Sequence, residues 1–494
     1  MPYKRPRPGA LERFIAWVSP SWAAKRAAWR DVAKFGYRGG QPGRLDSTGS
    51  GVNGAADYHL EQAYDRREMV DRGRELDRDN VIAHGALDRV ADNVVGCGAT
   101  PQAASEDEAW NAEVEKRFAD WCQAEADVRR LCTFAELQHL WVRSRNRDGD
   151  VGAILLDDGS LQMVESDQLV APIGTEYHPR MVDGIETDKR GRPLRFHVLD
   201  NTDWDKITGN RRYMPGRVAV PADSFLFDAR RARLGQTRGD PVFGQNAWLL
   251  DQIDQQIEAV TAAAKMAACF GLVLETENDY ALMAKREKDR RGRPRRTWDL
   301  APGSVKRLEP GEKLSQVKPE HPTTNFEGFI VLLGRVMGLG LGLPLELLFL
   351  DFSRTNYSSA RASLLQAQDG FRLQQAALRD HFLAPVWRWK VLRWLADGTL
   401  KKPSDSRGLA GALSHTWIMP GWKWLDPVKE IEAHLLAVDA GWETVTGVAA
   451  SLGRDFSELL ETRKRELQKM EAAGVPLVRS NLSRDPLVPG KDAA

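Results

Sequence analysis

The sequence predicts an α+β protein in which long helices surround a region of short strands. Apolar residues recur at helical spacings over four long spans, residues 55–93, 106–144, 245–269 and 358–394. Between the second and third spans the period becomes alternating, and residues 151–165 predict a β-hairpin around a turn at Asp157. A chain of 494 residues is expected to contain about two to four structural units.

The composition excludes several classes of protein. Hydrophobic residues make up 42% of the chain and charged residues 28%, which is typical of a folded protein and not of collagen, a disordered chain or a membrane bundle. With 70 basic and 69 acidic residues the net charge is +1, so any contact with nucleic acid is expected to be local or weak. The four cysteines form no CxxC pair. They therefore predict neither a zinc site nor a disulfide framework, and they favour a reduced, intracellular setting. No cofactor is expected.

Basic residues are concentrated in two places. Residues 1–44 hold ten Lys or Arg against two acidic residues, interleaved with aromatic residues, and predict a basic arm that ends in a Gly- and Ser-rich linker. The second concentration lies within an insert at residues 271–322, where short strands are predicted at residues 272–274 and 304–306. It holds eight basic residues against two acidic ones, a local excess of +6: Lys285, Arg286, Lys288, Arg290, Arg291, Arg293, Arg295 and Arg296.

An apolar segment at residues 329–350 is long enough to raise the possibility of a membrane span. It contains Arg335, Pro344 and Glu346 together with four glycines, which favours a segment buried in protein. A membrane-active pore built on this segment remains an alternative.

Motifs of catalysis are sparse. The chain has no phosphate-binding loop, no GxSxG elbow and no HExxH pair, and its GxGxxG match at residues 49–54 does not follow a strand. One acidic cluster could supply ligands for a metal-dependent nuclease, although turn and strand positions explain it better. Its members are Asp148, Asp150, Asp157, Asp158, Glu165 and Asp167. This sparseness favours a structural or interaction role over an enzyme.

Residues 350–362, L-D-F-S-R-T-N-Y-S-S-A-R-A, carry a resemblance to a known family. They resemble the signature D-x-S-x-x-N-Y-S-S-x-R-A of lambda-type bacteriophage portal proteins, which follows a segment containing glycine and proline. Other segments agree in the same order, at residues 76–87, 93–98, 161–169, 424–433 and 452–455. The resemblance extends over residues 19–474, with a small departure at Arg78-Asp79-Asn80, where an Arg-Asn pair is commoner.

The resemblance implies a homo-oligomeric ring, typically of twelve subunits, at one vertex of the capsid, through which double-stranded DNA enters and leaves. The implied partners are the terminase large subunit, the major capsid protein and the head–tail connector proteins, with no membrane. The implied location is the portal vertex of the virion, after assembly in the host cytoplasm.

The family fold implies an order of domains along the chain. Residues 1–54 form the arm and linker, 55–243 the first part of the wing, 244–270 a stem helix, 271–322 the clip, 323–338 the second stem helix, 339–357 the tunnel loop, 358–426 a long helix and the second part of the wing, 427–475 a helical crown, and 476–494 a tail.

Two candidate sites follow from that order. The basic tract of the clip is expected to dock partners. The tunnel loop and its hinge are expected to include Gly338, Gly340, Gly342, Asp351, Arg354, Asn356, Tyr357, Ser358 and Arg361. The hinge is expected to span residues 351–361, between the tunnel loop and the long helix; with Leu350 before it, this segment is called the hinge run below. Its polar residues can cap the new helix, and Arg361 is expected to pair with Asp351 or with a carboxylate of a neighbouring subunit.

Overall fold

The computed structural model describes residues 58–172, 174–175, 180–199, 217–268, 272–276, 312–316, 326–353, 355–422 and 426–473. These residues fall into two compact units. The first unit combines the chain up to Gln245 with the chain from Gly340 onward, and the second is the intervening segment, Asn246–Leu339.

The first unit begins with two pairs of helices: α1 (Tyr58–Asp79) with α2 (Val81–Val95), and α3 (Glu108–Ala124) with α4 (Phe134–Asp148). Each pair was predicted as one continuous span. The first pair is divided at Asn80, whose side chain accepts a hydrogen bond from the Ala83 amide at 2.9 Å and starts a new helix. The second is divided before Thr133, which forms a capping box with Glu136.

Among the described residues, one short strand lies between the two pairs of helices, and seven more follow them. A three-stranded sheet has the order β3-β2-β8 and a four-stranded sheet the order β4-β5-β6-β7. The strands are β1 (Thr100–Ala103), β2 (Asp150–Leu155), β3 (Leu161–Glu165), β4 (Met181–Val182), β5 (Ile185–Thr187), β6 (Pro193–Leu199), β7 (Arg217–Pro221) and β8 (Phe225–Ala229). The predicted hairpin is confirmed, because Val151 pairs with Glu165 and Leu155 with Leu161.

The two sheets share a small apolar core. Phe196 of the four-stranded sheet stacks on Phe225 of the three-stranded sheet with ring centroids 4.1 Å apart. Ile185, Val198 and Val164 are buried around this pair. The sheets are therefore held together by alternate apolar side chains of their strands.

The second unit contains α5 (Ala247–Ala268), β9 (Leu272–Thr276), β10 (Glu312–Gln316) and most of α6 (Phe326–Leu341). The strands β9 and β10 pair antiparallel, with Leu272 opposite Gln316. This confirms the predicted helix that begins near residue 245 and the predicted strand at 272–274. The predicted strand at 304–306 lies outside the described residues.

The chain returns to the first unit through α7 (Leu345–Phe349) and then α8 (Tyr357–Leu378). A π-helical turn, Arg379–Leu383, connects α8 to α9 (Ala384–Ala396) without a gap. Pro385 was predicted to kink or break this long helix. The α-helical hydrogen-bond pattern is indeed interrupted, by the π-helical turn just before Pro385, and Pro385 lies in the first turn of α9, where its missing N–H is tolerated.

Aromatic side chains join the two chain segments of the first unit. Trp141 of α4 stacks on Phe382 at 4.3 Å between ring centroids, and Phe118 of α3 lies 5.0 Å from Trp387 of α9. All four rings are buried. In addition, β1 pairs with the last strand, β11 (His415–Ile418). Residues more than 200 positions apart thus build one core.

The last helices of the described chain are α10 (Leu409–Ala412), α11 (Pro427–Asp439), α12 (Val445–Ser451) and α13 (Phe456–Ala472). The final three confirm the three helical stretches predicted between residues 427 and 473. Asp426, Thr444 and Asp455 cap them through side-chain oxygens that accept backbone N–H groups.

The apolar segment at residues 329–350 forms most of α6, a turn at Gly342 and α7. In the part of the chain that the structure describes, no helix has the length and apolar character needed to cross a membrane.

Candidate functional site

The hinge run ends one helix and starts another within seven residues. Leu350 follows α7 in the left-handed conformation, with φ of +54°. Asp351 then accepts hydrogen bonds at Oδ1 from the amide and the hydroxyl of Ser353, at 2.9 and 2.6 Å. Asn356 caps α8 by accepting a hydrogen bond from the Ser359 amide at 2.8 Å. The polar residues of the run therefore lie where one helix has ended and the next starts, as their capping chemistry predicts.

The three glycines assigned to the tunnel loop differ in conformation. Gly338 and Gly340 lie inside α6, which continues to Leu341, past the expected end of the second stem helix at residue 338. Gly342 alone of the three has a positive φ, +68°, and ends α6. Apolar neighbours with helical spacing outweigh the weak helix propensity of isolated glycines, so two of the three are helical.

The hinge run exposes apolar and aromatic side chains. Leu350, Phe352 and Tyr357 are exposed, as are Asn356 and Ser358. Arg354 lies outside the described residues. The segment therefore offers a surface of mixed apolar and polar character.

Arg361 connects the start of α8 to the C-terminal helices. Its Nη2 lies 3.7 Å from Oε1 of Glu430 on α11. Arg361 was expected to pair with Asp351 or with a carboxylate of a neighbouring subunit; within the chain its side chain, one turn into α8, is directed to α11 and not to Asp351, and the pairing between subunits stays a prediction. Glu430 was not identified from the sequence, since pairing across 69 residues has no local signal.

The basic tract at residues 285–296 lies outside the described residues. Its docking role stays a prediction.

The acidic cluster considered for a nuclease is occupied by arginines. Asp150 is fully buried and forms a bidentate pair with Arg238, at 2.7 and 3.0 Å. It also accepts hydrogen bonds from Arg66 at 2.9 Å, from the Ser166 hydroxyl at 2.6 Å and from the Gly239 amide at 3.0 Å. Both carboxylate oxygens are satisfied by protein donors.

The same arginines bind the turn between β4 and β5. Asp183 and Gly184 both have positive φ, 43° and 90°, the combination of a type I′ hairpin turn. The Asp183 carboxylate pairs with Arg66 at 3.0 Å and with Arg67 at 2.6 Å, and its carbonyl accepts a hydrogen bond from Arg238. The network thereby joins α1, both sheets and the chain after β8.

Asp148 is held in a similar way. Arg74 contacts it at 2.7 Å and Arg147 at 2.8 Å, and Arg74 also binds Asp167 at 2.6 Å. Glu165 pairs with Arg147 at 3.1 Å. Asp148, Asp150, Glu165 and Asp167 are therefore all paired with arginines and are not arranged to bind a metal ion together.

Burial and charge act oppositely on the Asp150 carboxyl. Burial alone raises the pKa of this group, but the nearby Arg238 and Arg66 outweigh it and hold the pKa well below its usual range. Burial also opposes ionisation of Asp183, and the same two arginines lower its pKa. Both side chains are therefore ionised as members of a structural network.

The remaining acidic residues have turn chemistry. Asp158 accepts hydrogen bonds from the amide and hydroxyl of Ser160, at 2.9 and 2.6 Å. Among the described residues, no group of three or more His, Cys, Asp or Glu side chains is arranged to hold a metal ion. Three of the arginines that bind the cluster, Arg66, Arg74 and Arg238, lie far from it in the sequence, so no local pattern indicates this pairing.

A buried lysine, Lys390, binds the turn that contains Asp158 and Gly159. The Gly159 carbonyl accepts hydrogen bonds from Trp121 Nε1 at 2.9 Å and from Lys390 Nζ at 2.8 Å. The ammonium lies 4.9 Å from the ring centroid of Trp121 and 5.3 Å from that of Trp394. Burial lowers the pKa of Lys390 to about 8.

The hinge run lies within the part of the chain that matches a known family. Residues 44–375, more than half of the chain, match the family described as phage portal protein, lambda family. The chain belongs to this family. It is therefore a portal protein, and its place is in the virion.

Curated relatives agree with the family. The chain is 24% identical to portal protein B of Escherichia phage lambda over 455 residues, covering 82% of this chain and 84% of the relative. It is 22% identical to the probable portal protein of Halomonas phage phiHAP-1, covering 88% and 86%. The portal protein of Escherichia phage N15 is 24% identical, with 74% of each chain covered.

Similar solved structures come from gene transfer agent (GTA) particles. One is described as the neck of a native GTA particle computed with C12 symmetry, with 13% identity and a TM-score of 0.45, covering 79% of this chain and 94% of that one. Another is the neck of an empty GTA particle computed with C6 symmetry, with 13% identity and a TM-score of 0.47, covering 77% and 93%.

Proposed function

We propose that the chain forms a closed ring of twelve identical subunits at one capsid vertex, and that double-stranded DNA passes through the ring during packaging and ejection. The observation that carries this proposal is the family match over residues 44–375, which includes the whole hinge run. The expected assembly site is the host cytoplasm.

The charge of the chain supports a conduit. Each phosphate that a Lys or Arg side chain neutralises adds to the affinity for DNA, and a conduit that bound DNA tightly would slow its movement. A net charge of +1 over 494 residues keeps this affinity low. The hinge run exposes Leu350 and Phe352 beside the acidic Asp351, and neither apolar nor acidic side chains bind phosphates, so this surface is suited to approach the DNA without holding it.

An image of the purified full-length protein tests the ring directly. Negative-stain electron microscopy should show rings with a central hole, and mass photometry should give a mass near twelve subunits. A preparation that contains only monomers at micromolar concentration would overturn the proposal.

The basic tract at residues 285–296 is proposed to dock partners and not to line the channel. Twelve copies of a local +6 amount to about 72 positive charges, and an inward belt of that density would trap DNA. Placed outward or at the end of the ring, it can meet the terminase large subunit during filling and the connector proteins afterwards. We expect the ring to contact the capsid through the major capsid protein.

Charge reversal tests this docking role. Changing Arg290, Arg291, Arg295 and Arg296 to Glu should block terminase binding in pull-down assays and leave the ring intact. The matched control reverses four exposed basic residues elsewhere, Lys189, Arg190, Lys401 and Lys402, and should bind as wild type. Loss of the ring in the first variant, or equal loss of binding in both, would contradict the proposal.

We also infer that the chain performs no catalysis of its own. The carboxylates Asp148 and Asp150 are bound by arginines, so they are not available to divalent metals. Incubation of the protein with plasmid DNA and Mg²⁺ or Mn²⁺ should leave the DNA intact; cleavage lost in Asp158→Asn would show otherwise.

A further inference from the structure

The C-terminal helices carry apolar side chains that nothing in the described chain covers. Neither α11 nor α13 contains a buried residue. Val428 is 65% exposed and Leu435 52% exposed on α11, and Leu460 is 58% exposed on α13. Trp442, just after α11, is 87% exposed. So much exposed apolar surface on two helices of one chain marks an interaction surface.

Each helix arranges these side chains as a stripe. Val428, Ile431 and Leu435 follow one another at three- and four-residue spacings along α11, so they share a face. On α13 a second stripe is formed by Phe456, Leu459, Leu460, Leu467 and Met470, of which Leu459 and Leu460 are exposed and the other three are half-buried.

The charges beside the two stripes have opposite sign. Glu432 and Asp439 lie four residues after Val428 and Leu435, along one edge of the α11 stripe. Arg463 and Lys464 lie three and four residues after Leu460, Arg463 within the α13 stripe and Lys464 at its edge. Acidic side chains therefore accompany the α11 stripe and basic side chains the middle of the α13 stripe.

These charges are available for a partner. Glu432, Asp439 and Lys464 form no ion pair with any described residue, and Arg463 has only an exposed pair with Glu466 on its own helix, at 3.4 Å. Exposed pairs of this kind contribute little to stability and are easily exchanged.

We infer that the α11 stripe of one subunit packs against the α13 stripe of the next subunit, with Glu432 and Asp439 opposite Arg463 and Lys464. This inference rests on the proposed ring. A ring of identical subunits needs two different and mutually complementary surfaces on each copy, because its contacts are head-to-tail. The paired stripes with opposite charges meet that requirement within one chain, which favours a second copy over an unrelated partner.

Charge reversal with rescue tests the contact in the full-length chain. The variant E432K/D439K and the variant R463E/K464E should each lower the fraction of protein in rings by about tenfold, since like charges then face each other across every contact. The combined four-residue variant should restore rings, because the signs are opposite again. The matched control R465E/K469E changes the same charge on the far face of α13 and should assemble as wild type.

Three results would overturn the inference. The double variants could assemble as well as wild type, or the combined variant could fail to recover rings. Alternatively, the double variants could lower the thermal stability of the monomer with no change in the ring fraction, which would assign the stripes to a segment of the same chain. A wild-type chain that stays monomeric would overturn the proposed function itself, whereas wild-type rings with unaffected variants would overturn this contact alone.

Discussion

At the scale of single residues, the carboxylate of Asp150 shows how a buried charge is held. Donors from three other segments converge on it: Arg66 in α1, Ser166 after β3, and Arg238 with the Gly239 amide after β8. Removing one partner from such a network leaves the other charges buried and unpaired, which costs more than the intact network contributes. The free energy of unfolding therefore depends strongly on this one side chain.

We predict that Asp150→Asn lowers the free energy of unfolding by about 3–5 kcal/mol. The amide that replaces the carboxylate cannot neutralise Arg238 and Arg66. Denaturant titration followed by circular dichroism measures the change. Asp157→Asn is the control, because Asp157 is exposed in a turn and its replacement should change stability by less than about 0.5 kcal/mol. Equal effects of the two substitutions would contradict a structural role for the network.

Lys390 predicts an unusual dependence of stability on alkaline pH. Burial lowers its pKa to about 8 in the folded chain, against about 10.4 in the unfolded chain. Between these values the unfolded state binds more protons, so stability should rise with pH from about 8 to about 10.4. Thermal melts across this window measure the rise. The Lys390→Met variant should lack it, and a rise of equal size in that variant would assign it to other groups.

At the scale of elements, the start of α8 depends on one cap. The Asn356 side chain satisfies the Ser359 amide, which has no partner inside the helix. Asn356→Ala should lower stability by about 1 kcal/mol and raise hydrogen exchange in the first turn of α8. Ser358→Ala is the control, since the Ser358 hydroxyl has only a 3.4 Å contact with Asn356. Unchanged exchange in Asn356→Ala would mean that packing alone starts the helix.

Arg361 joins two elements across the hinge. Its pair with Glu430 is partly exposed, so Arg361→Ala should lower monomer stability by less than about 1 kcal/mol. We nevertheless expect impaired ring closure or DNA packaging, because the pair fixes α8 relative to α11. Particles produced with the variant should contain less DNA, measured by nuclease-protected genome copies. Glu430→Gln should reproduce the defect; normal filling in both variants would reduce Arg361 to a surface charge.

Several elements were predictable from local pattern and others were not. The hairpin at 151–165 and the three C-terminal helices follow from period and turn residues that act within a few positions. The division of the first helical span at Asn80 and the π-helical turn before Pro385 escaped prediction. In both places helix follows helix almost directly. The helical spacing of apolar residues is therefore not interrupted in the sequence, although the backbone hydrogen-bond pattern changes.

At the scale of the whole molecule, the core of the first unit needs chain from both sides of the second unit. Phe382 and Trp387 complete the aromatic core around Phe118 and Trp141. The strand pair of β1 and β11 adds a second link between the same segments.

A truncation series should reveal this dependence. A chain that ends at Gln375 lacks Phe382 and Trp387 and should show no cooperative thermal transition, because large apolar side chains of the core then face water. A chain that ends at Trp422 keeps β11 and loses, among the described residues, only three helices without a substantial buried core, and should still unfold cooperatively. Similar melting of both chains would show that the first segment folds alone.

The sequence by itself determined the α+β class, the family, the hinge run and most helix and strand positions, because each rests on local patterns or on a contiguous motif. The tertiary structure alone decided that the acidic cluster is a set of ion pairs with Arg66, Arg74, Arg147 and Arg238, and that Arg361 meets Glu430. It also brought β1 to β11, more than 300 residues away. The physical reason is that the energy of an ion pair depends on the distance between the charges in space and not on their separation along the chain. Only folding brings such distant side chains within a few ångströms.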